Sequence, residues 1–265
     1  MGIPSSTVSR ESSSRGFKIT RTPITRIFVD STLEVGDALK LPEEEAHHVL
    51  KALRGRAGDA IEVVDADRRL FVAELRGGRE AAILETLRAP EEEVEVSLYQ
   101  AVPKGGRMDL VVEKATEVGV TKIVPLVTQR GLVEPRGRKV ERWRRVAEAA
   151  ARQSLRMSVP EVLDPVSFAE AARHAGDSGV LLHNALGLDP LEDVVGSPVG
   201  LFVGPEGGWS KEEMGLAREA GLAFAQLGPY RLRSETAGLV AVARARAALA
   251  KRNALEKERL REGLR

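Results

Sequence analysis

The sequence predicts an α/β protein in which a small β-barrel precedes a larger domain built on a parallel sheet. From Arg26 to about residue 90 the apolar patterns are short and typical of strands, with one helix among them. From Val94 onward strands alternate with amphipathic helices, which indicates a parallel sheet with helices packed on it. The acidic stretch APEEEVE lies between the two patterns and is typical of a solvated linker. We therefore expect a barrel over 26–90 and a larger domain over 94–255.

Composition narrows the classes of protein that fit. The chain has 265 residues and a net charge of only +1, so any basic surface must be local. It contains no cysteine, which excludes disulfides and thiolate zinc sites and fits a reducing compartment, so we expect a cytoplasmic protein. No apolar run approaches the roughly 20 residues that span a bilayer. The four histidines share no metal-binding spacing, and we expect no metal site.

The first 25 residues form a separate segment, rich in Ser and Arg and poor in acids. An organelle transit peptide has this composition. A disordered extension or a misassigned start is the preferred interpretation, and the lack of an apolar stretch argues against a secretory signal.

The barrel elements follow from period-two patterns. RIFVD alternates, DALKL follows Gly36, and GDAIEVVDADRRLFVAELR indicates two strands around a turn at Asp65–Arg68. The stretch PEEEAHHVLKALRG predicts the single helix, because Pro42 suits its first turn and Gly55 can end it.

The larger domain follows from alternating strand and helix patterns. RMDLVVEKATEVG predicts a helix with apolar residues at 3–4 spacing, RKVERWRRVAEAAARQSLR a long helix, and SKEEMGLAREAG a shorter one. A final Ala/Arg-rich helix is expected from near Thr236. The predicted strands are VEVSLYQAV, KIVPLV, GVLLHNA, VGLFVG and FAQLG.

The stretch VGPEGGWSKEE indicates a ligand site. Ser210 and Glu213 have the spacing of a capping box, so a strand, a glycine loop and a helix follow one another. Ligands in such sheets bind beyond the carboxyl ends of the strands. The glycines match neither the dinucleotide fingerprint nor the phosphate-binding P-loop pattern, and Glu206 would repel a phosphate. An acid here suits ribose hydroxyls or a cation, and S-adenosylmethionine offers both; a tight turn with a solvated Glu is the alternative.

A second polar turn, LGPYRLRSETA, precedes the last helix. Arg233, Ser234, Glu235 and Thr236 crowd its start, where free N–H groups can hold polar ligand atoms. Helix capping by Ser234 or Thr236 is the simpler interpretation. It leaves Arg233 unexplained, because a cation is unfavourable at the positive end of a helix.

Together these two motifs resemble the paired signature of the bacterial 16S rRNA uridine-N3 methyltransferases of the SPOUT superfamily. Three further segments are similar to the family: AHHVLKALRGRAGD, KGGRMDLVVEKATEVGVTKIVPLVTQR and RWRRVAEAAARQSLRMSVPEV. The resemblance spans roughly Arg26 to Ala250. It implies a PUA-like barrel, a SPOUT domain with a C-terminal trefoil knot, S-adenosylmethionine as cofactor and a homodimer. It also implies a target uridine in helix 44 of the 16S rRNA of the small ribosomal subunit, near the decoding site.

The resemblance also implies site residues. Arg233 is expected to stabilise charge on a uracil oxygen, and Glu235 or His183 to take the N3 proton. The chain departs from the family at Tyr230–Arg231, where Arg–Ile is usual, and at Ser234, where Thr is usual. The residues expected to bind the cofactor are Leu182, His183, Val203, Gly204, Pro205, Glu206, Gly207, Gly208, Leu227, Gly228, Leu232, Arg233, Ser234, Thr236 and Ala237.

A basic segment from Arg130 to Arg156 predicts an RNA-binding face, although a solvated helix has the same composition. Arg152 and Arg156 would share one helical face, and Trp143 would either anchor the helix or stack on RNA. The residues expected to contact RNA are Arg26, Arg54, Lys104, Arg130, Arg142, Arg152 and Arg156. Three other functions stay open: a ribose 2′-O-methyltransferase, a non-catalytic RNA-binding assembly factor and a nucleotide-phosphate enzyme.

Overall fold

The computed structural model describes residues 23–88, 94–131 and 137–263, with side chains to residue 261. These residues form two compact units. The first contains the chain up to Asp65 together with Phe71–Leu87, and the second contains Ala66–Leu70 and the chain from Arg88. The predicted extension, apart from residues 23–25, lies outside the described residues. Nowhere in the described ranges is a helix long and apolar enough to cross a membrane.

The first unit is a five-stranded sheet with one helical segment. The strands are β1 (Arg26–Phe28), β2 (Ala38–Lys40), β3 (Ala60–Val64), β4 (Leu70–Gly77) and β5 (Glu80–Leu87). Their order is β1-β3-β4-β5-β2, with β1 parallel to β3 and β2 antiparallel to β5. A short helix, α1 (Glu43–Ala46), continues as a π-helix over His47–Ala52 where the sequence predicts one regular helix.

The second unit is built on an eight-stranded sheet. The strands are β6 (Val96–Ala101), β7 (Lys122–Val127), β8 (Glu161–Val162), β9 (Val166–Ser167), β10 (Gly179–Leu182), β11 (Asp189–Pro190), β12 (Val199–Val203) and β13 (Ala223–Gln226). Their order is β11-β13-β10-β12-β6-β7-β8, with β9 beside β7, and the pairings among these described strands are parallel. The predicted parallel α/β sheet is therefore confirmed.

Helices cover both faces of this sheet. The helices are α2 (Met108–Glu117), α3 (Gly137–Gln153), α4 (Phe168–Ala175), α5 (Leu191–Val194), α6 (Lys211–Glu219) and α7 (Ser234–Gly263). One buried cluster joins the sheet to α2, α3 and α7, and a second joins it to α4 and α6. Strand β12 shows the division, since Leu201 belongs to the first cluster and its neighbour Phe202 to the second.

The basic helix α3 ends earlier than its sequence predicts. It stops at Gln153, and Leu155 has a φ of 53°, which breaks the helical path. Arg156 then turns inward, is 6% exposed and donates to the carbonyl oxygens of Thr116 and Val120. The prediction that Arg152 and Arg156 share a helical face is wrong, because the helix has ended between them.

Candidate active site

A cavity of about 600 Å³ lies at the carboxyl ends of β10, β12 and β13. Two segments that the sequence singles out form its walls, namely the glycine loop after β12 and the turn between β13 and α7. All the residues expected to bind the cofactor line it except Thr236, which is exposed to solvent in the first turn of α7. The lining also includes Arg130, Asn184, Trp209, Tyr230 and Arg231, which were not among the predicted cofactor-binding residues.

The glycine loop is shaped by its backbone and by Trp209. Gly208 has a φ of +69° and donates its N–H to the carbonyl of Pro205 at 2.8 Å, closing a tight turn. A Cβ atom on Gly204 would lie 3.0 Å from the Trp209 ring, so glycine allows the ring to pack closely. The indole N–H in turn donates to the carbonyl of Leu182 at 3.0 Å, linking the loop to the end of β10.

The helix after the loop begins as predicted. The backbone N–H of Glu213 donates to Ser210 Oγ at 3.0 Å, and the backbone N–H of Ser210 donates to Glu213 Oε2 at 2.8 Å. This reciprocal pair confirms the capping box. The other oxygen of Glu213 accepts from the N–H of Gln129 at 2.9 Å, so a single buried carboxylate ties α6 to the segment after β7.

The turn between β13 and α7 is fastened to the glycine loop through Ser234. Its hydroxyl donates to the carbonyl of Gly204 at 2.6 Å and accepts a hydrogen bond from Gln100 Nε2 at 2.9 Å. The Gln100 side chain is fully buried at the end of β6. Helix α7 begins at Ser234 itself, two residues before the predicted start, and its first turn closes with a hydrogen bond from the Ala237 N–H to the carbonyl of Arg233 at 2.8 Å.

Two carboxylates beside the cavity share one guanidinium. Arg107 Nη1 lies 3.7 Å from Glu206 Oε1, and Arg107 Nε lies 3.5 Å from Glu235 Oε1. The backbone N–H of Lys104 donates to the same oxygen of Glu206 at 3.0 Å. Sequence reasoning did not single out Arg107; its position next to Gly105–Gly106 was the available signal.

The two candidate proton acceptors occupy different surroundings. His183 lines the cavity, and its Nδ1 is buried with no hydrogen-bond partner among the described residues. Its backbone N–H donates to Ala225 at 3.0 Å, which fixes the chain at the end of β10. Glu235 is 7% exposed, pairs with Arg107 and is not part of the cavity wall.

Cations surround the mouth of the cavity. Arg130 donates to the carbonyl of Gly207 at 3.0 Å, and Arg231 to the carbonyl of Glu206 at 3.4 Å. Arg233 lines the cavity as well, and all three arginines are exposed. Among the described residues of the wall Glu206 is the one acid, so the mouth suits an anionic partner even though the loop carries a carboxylate.

Several residues expected to contact RNA are instead held inside the protein. Arg26 is 5% exposed and donates from Nε and Nη2 to Glu62. Arg152 pairs with Glu148 in the same helix, and Arg156 is buried as described above. These three side chains are largely shielded from solvent as well as engaged, which leaves little of each guanidinium for a phosphate, so these three expectations are not supported. Arg54, Lys104, Arg130 and Arg142 are exposed, although Arg142 also pairs with Asp109 at 2.6 Å.

Trp143 anchors helix α3. It is 3% exposed and donates its indole N–H to Asp109 Oδ1 at 3.1 Å. Of the two predicted roles, the structure supports the anchor rather than the stacking platform. Over the described ranges, no group of three or more His, Asp or Glu side chains is placed to hold a metal ion.

Comparison with known proteins identifies the family. The model for an RNA methyltransferase domain matches residues 90–246. A ribosomal RNA small subunit methyltransferase E of Synechocystis is 33% identical over 220 residues, covering 79% of this chain and 73% of the relative. The chain belongs to the ribosomal RNA small subunit methyltransferase E family. A second member, from Mycobacterium bovis, is 31% identical and covers 81% of this chain and 88% of the relative.

Solved structures agree with this family. A ribosomal RNA small subunit methyltransferase E from Neisseria gonorrhoeae, bound to S-adenosylmethionine, has a TM-score of 0.78 at 30% identity, covering 85% of this chain and 98% of that one. A putative methyltransferase from Legionella pneumophila, in complex with the same cofactor, has a TM-score of 0.76 at 31% identity, covering 86% and 98%. The prediction from the two C-terminal motifs is therefore confirmed at the level of a small-subunit ribosomal RNA methyltransferase family, and the uridine-N3 specificity stays a prediction.

Proposed function

We propose that this chain transfers a methyl group from S-adenosylmethionine to N3 of one uridine in helix 44 of 16S rRNA, within the small ribosomal subunit. The observation that carries the proposal is the cavity, where the glycine loop with Glu206 and the turn with Arg233 form facing walls. Two of its structural relatives are bound to S-adenosylmethionine, and its relatives are named ribosomal RNA small subunit methyltransferase E.

The cavity fits this cofactor. Its volume of about 600 Å³ lies in the range of small-molecule sites. Leu182, Val203, Leu227 and Leu232 supply apolar wall for an adenine ring. Glu206 Oε1 accepts a hydrogen bond from the backbone N–H of Lys104. Its Oε2 accepts no hydrogen bond within the described residues and can accept from the ribose hydroxyls. Arginines already supply positive charge at the mouth of the cavity, so Glu206 is not needed there to bind the cationic part of the cofactor. We therefore assign Glu206 to the ribose hydroxyls.

Arg233 is the residue we assign to the uracil. N3 of uridine carries a proton at neutral pH, and its loss places negative charge on the neighbouring carbonyl oxygens. A guanidinium at the cavity mouth lies where it can stabilise that charge. When bound, the cofactor supplies a methyl group on a sulfonium, and the chain contributes chiefly the in-line placement of the base.

His183 is better placed than Glu235 to take the N3 proton. It lines the cavity, whereas Glu235 is held by Arg107 behind the wall. A His183→Asn variant should therefore lose more methyl transfer in a single turnover than Glu235→Gln. Equal losses, or a larger loss in Glu235→Gln, would reverse the assignment.

The RNA approaches over exposed cations. Arg138, Lys139 and Arg145 on α3 are exposed and form no ion pair within the described residues. Together with Lys104, Arg130 and Arg142 they form the proposed RNA surface of the second unit. Arg54 is the proposed contact of the first unit. Since a paired uridine cannot present N3, the target base is unpaired or turned out of its helix.

The finer architecture belongs to the same proposal. Strand β13 lies beside β10, yet α7 packs against α2 and β6, so the connection crosses the end of β12. This path supports a C-terminal trefoil knot. The five-stranded sheet of the first unit supports a PUA-like barrel. The proposed domains are the barrel at 26–90 and the methyltransferase domain at 94–255. A homodimer is the proposed assembly.

Nucleoside mass spectrometry of small-subunit RNA incubated with the protein and S-adenosylmethionine tests the reaction. A methyl group on the uracil base supports the proposal. A methyl group on ribose would identify a 2′-O-methyltransferase, and cofactor binding without any modified nucleoside would favour an assembly factor. Absence of S-adenosylmethionine binding in calorimetry would remove the whole assignment.

A further inference from the structure

The turn between β6 and α2 brings the guanidinium of Arg107 beside the cavity-lining Glu206. Gly105 and Gly106 have φ values of +69° and +74°, and a Cβ atom on either would meet nothing within 4 Å among the described residues. Glycine is therefore needed here for backbone conformation and not for space. The turn places the Lys104 N–H on Glu206 and leaves Arg107 at the start of α2.

The guanidinium of Arg107 lies next to the buried carboxylate of Glu235. Glu235 is 7% exposed, and its Oε2 is buried with no hydrogen-bond partner in the described part of the chain. A buried carboxylate is costly unless it is paired. Among the described side chains, Arg107 is the cation that pairs with Glu235, with Arg107 Nε 3.5 Å from Glu235 Oε1.

The same guanidinium reaches the opposite wall of the cavity. Its Nη1 lies 3.7 Å from Glu206 in the glycine loop, while Glu235 follows Ser234 in the first turn of α7. Ser234 makes a neutral link between these two segments through the carbonyl of Gly204. Arg107 makes the ionic link, and without it both carboxylates would lie beside the cavity with no cation between them.

We infer that Arg107 is a positioning residue for cofactor binding. It holds the Glu206 carboxylate toward the ribose and balances Glu235 behind the wall. This inference rests on the proposed function, because it assumes that the cavity takes S-adenosylmethionine. A purely structural role would predict that cofactor affinity follows stability, whereas a positioning role separates the two quantities.

Two variants separate these roles. Arg107→Gln leaves Glu235 buried without a cation, so it should lower the Tm and weaken S-adenosylmethionine binding by about ten-fold. In the double variant with Glu235→Gln the uncompensated buried charge is gone, so the Tm should recover. The affinity should stay about ten-fold weak, because Glu206 keeps the Lys104 N–H but still lacks its cation. Calorimetric titration with S-adenosylmethionine and thermal unfolding without it give the two readouts.

A matched control lies on the same helix. Lys114 of α2 pairs with Glu113 and Glu117 at the surface, so Lys114→Gln removes a cation from α2 far from the wall. Its cofactor affinity should stay within two-fold of wild type. Wild-type affinity in Arg107→Gln, or an affinity that recovers with the Tm in the double variant, would overturn the inference. If wild type itself does not bind S-adenosylmethionine, the proposed function fails instead.

Discussion

Removal of one hydroxyl should loosen both walls of the cavity. In Ser234→Ala the carbonyl of Gly204 loses its donor at 2.6 Å, and Gln100 Nε2 loses its acceptor at 2.9 Å. Gln100 is 0% exposed, and water cannot replace the missing partner there; it keeps its second hydrogen bond, to the carbonyl of Ala101 at 3.0 Å. The unsatisfied buried N–H costs about 1–3 kcal/mol, and the partly buried carbonyl about 1 kcal/mol more. The free energy of unfolding should therefore fall by about 2–4 kcal/mol.

Urea unfolding and thermal scanning measure this loss. At about 2–4 °C per kcal/mol for a chain of this size, the Tm should drop by about 5–15 °C. Ser234→Thr is the matched control, since it keeps the hydroxyl, and it should stay within about 1 kcal/mol of wild type. A Ser234→Ala variant as stable as Ser234→Thr would refute the reasoning, because the two hydrogen bonds would then carry no net stability.

Three further predictions follow from the structure. Gly208→Ala places a Cβ on a residue with a φ of +69°, so it should lower the free energy of unfolding by about 1 kcal/mol and weaken S-adenosylmethionine binding. The control Gly215→Ala, within helix α6, should instead raise the free energy of unfolding by about 0.5 kcal/mol in urea. Hydrogen bonds from Arg244 lower the pKa of Glu192, so its stabilisation is present above the unfolded pKa of about 4.3 and is lost as pH falls through the lower folded value. The stability gap between wild type and Glu192→Gln should therefore shrink between pH 7 and pH 3 in urea unfolding, and a constant gap would contradict the pairing. Arg138→Gln should lower RNA affinity and reduce the slope of log affinity against log salt by about 0.7–0.9 in filter binding, with an unchanged slope removing Arg138 from the surface.

Local patterns predicted much of the second unit. The alternation of strands and helices, the capping box at Ser210–Glu213 and the two polar turns are short-range features that depend on residues close in sequence. The cavity wall followed from them because the carboxyl ends of parallel strands meet at one edge of a sheet.

Two regular elements of the structure were not predicted from the sequence. Strand β5 was missed although EAAILETL alternates in burial, and α4 was missed between two short strands.

Long-range contacts explain the two arginines whose roles the sequence could not predict. Arg156 was expected to contact RNA because it lies in a basic segment, but carbonyl groups of residues 36 and 40 positions earlier in the sequence hold it in the interior. Arg107 was overlooked because Glu206 and Glu235 approach it only after folding.

The most direct test of the account is primer extension on small subunits treated with S-adenosylmethionine and either wild type or Arg233→Ala. A methyl group on uridine N3 blocks base pairing, so reverse transcriptase stops beside it. Wild type should produce one strong stop at a uridine of helix 44. Arg233→Ala should lose most of that stop, since the charge on the uracil oxygen is no longer stabilised. A wild-type protein that binds S-adenosylmethionine but produces no stop at any uridine, on subunits or on naked RNA, would contradict the account.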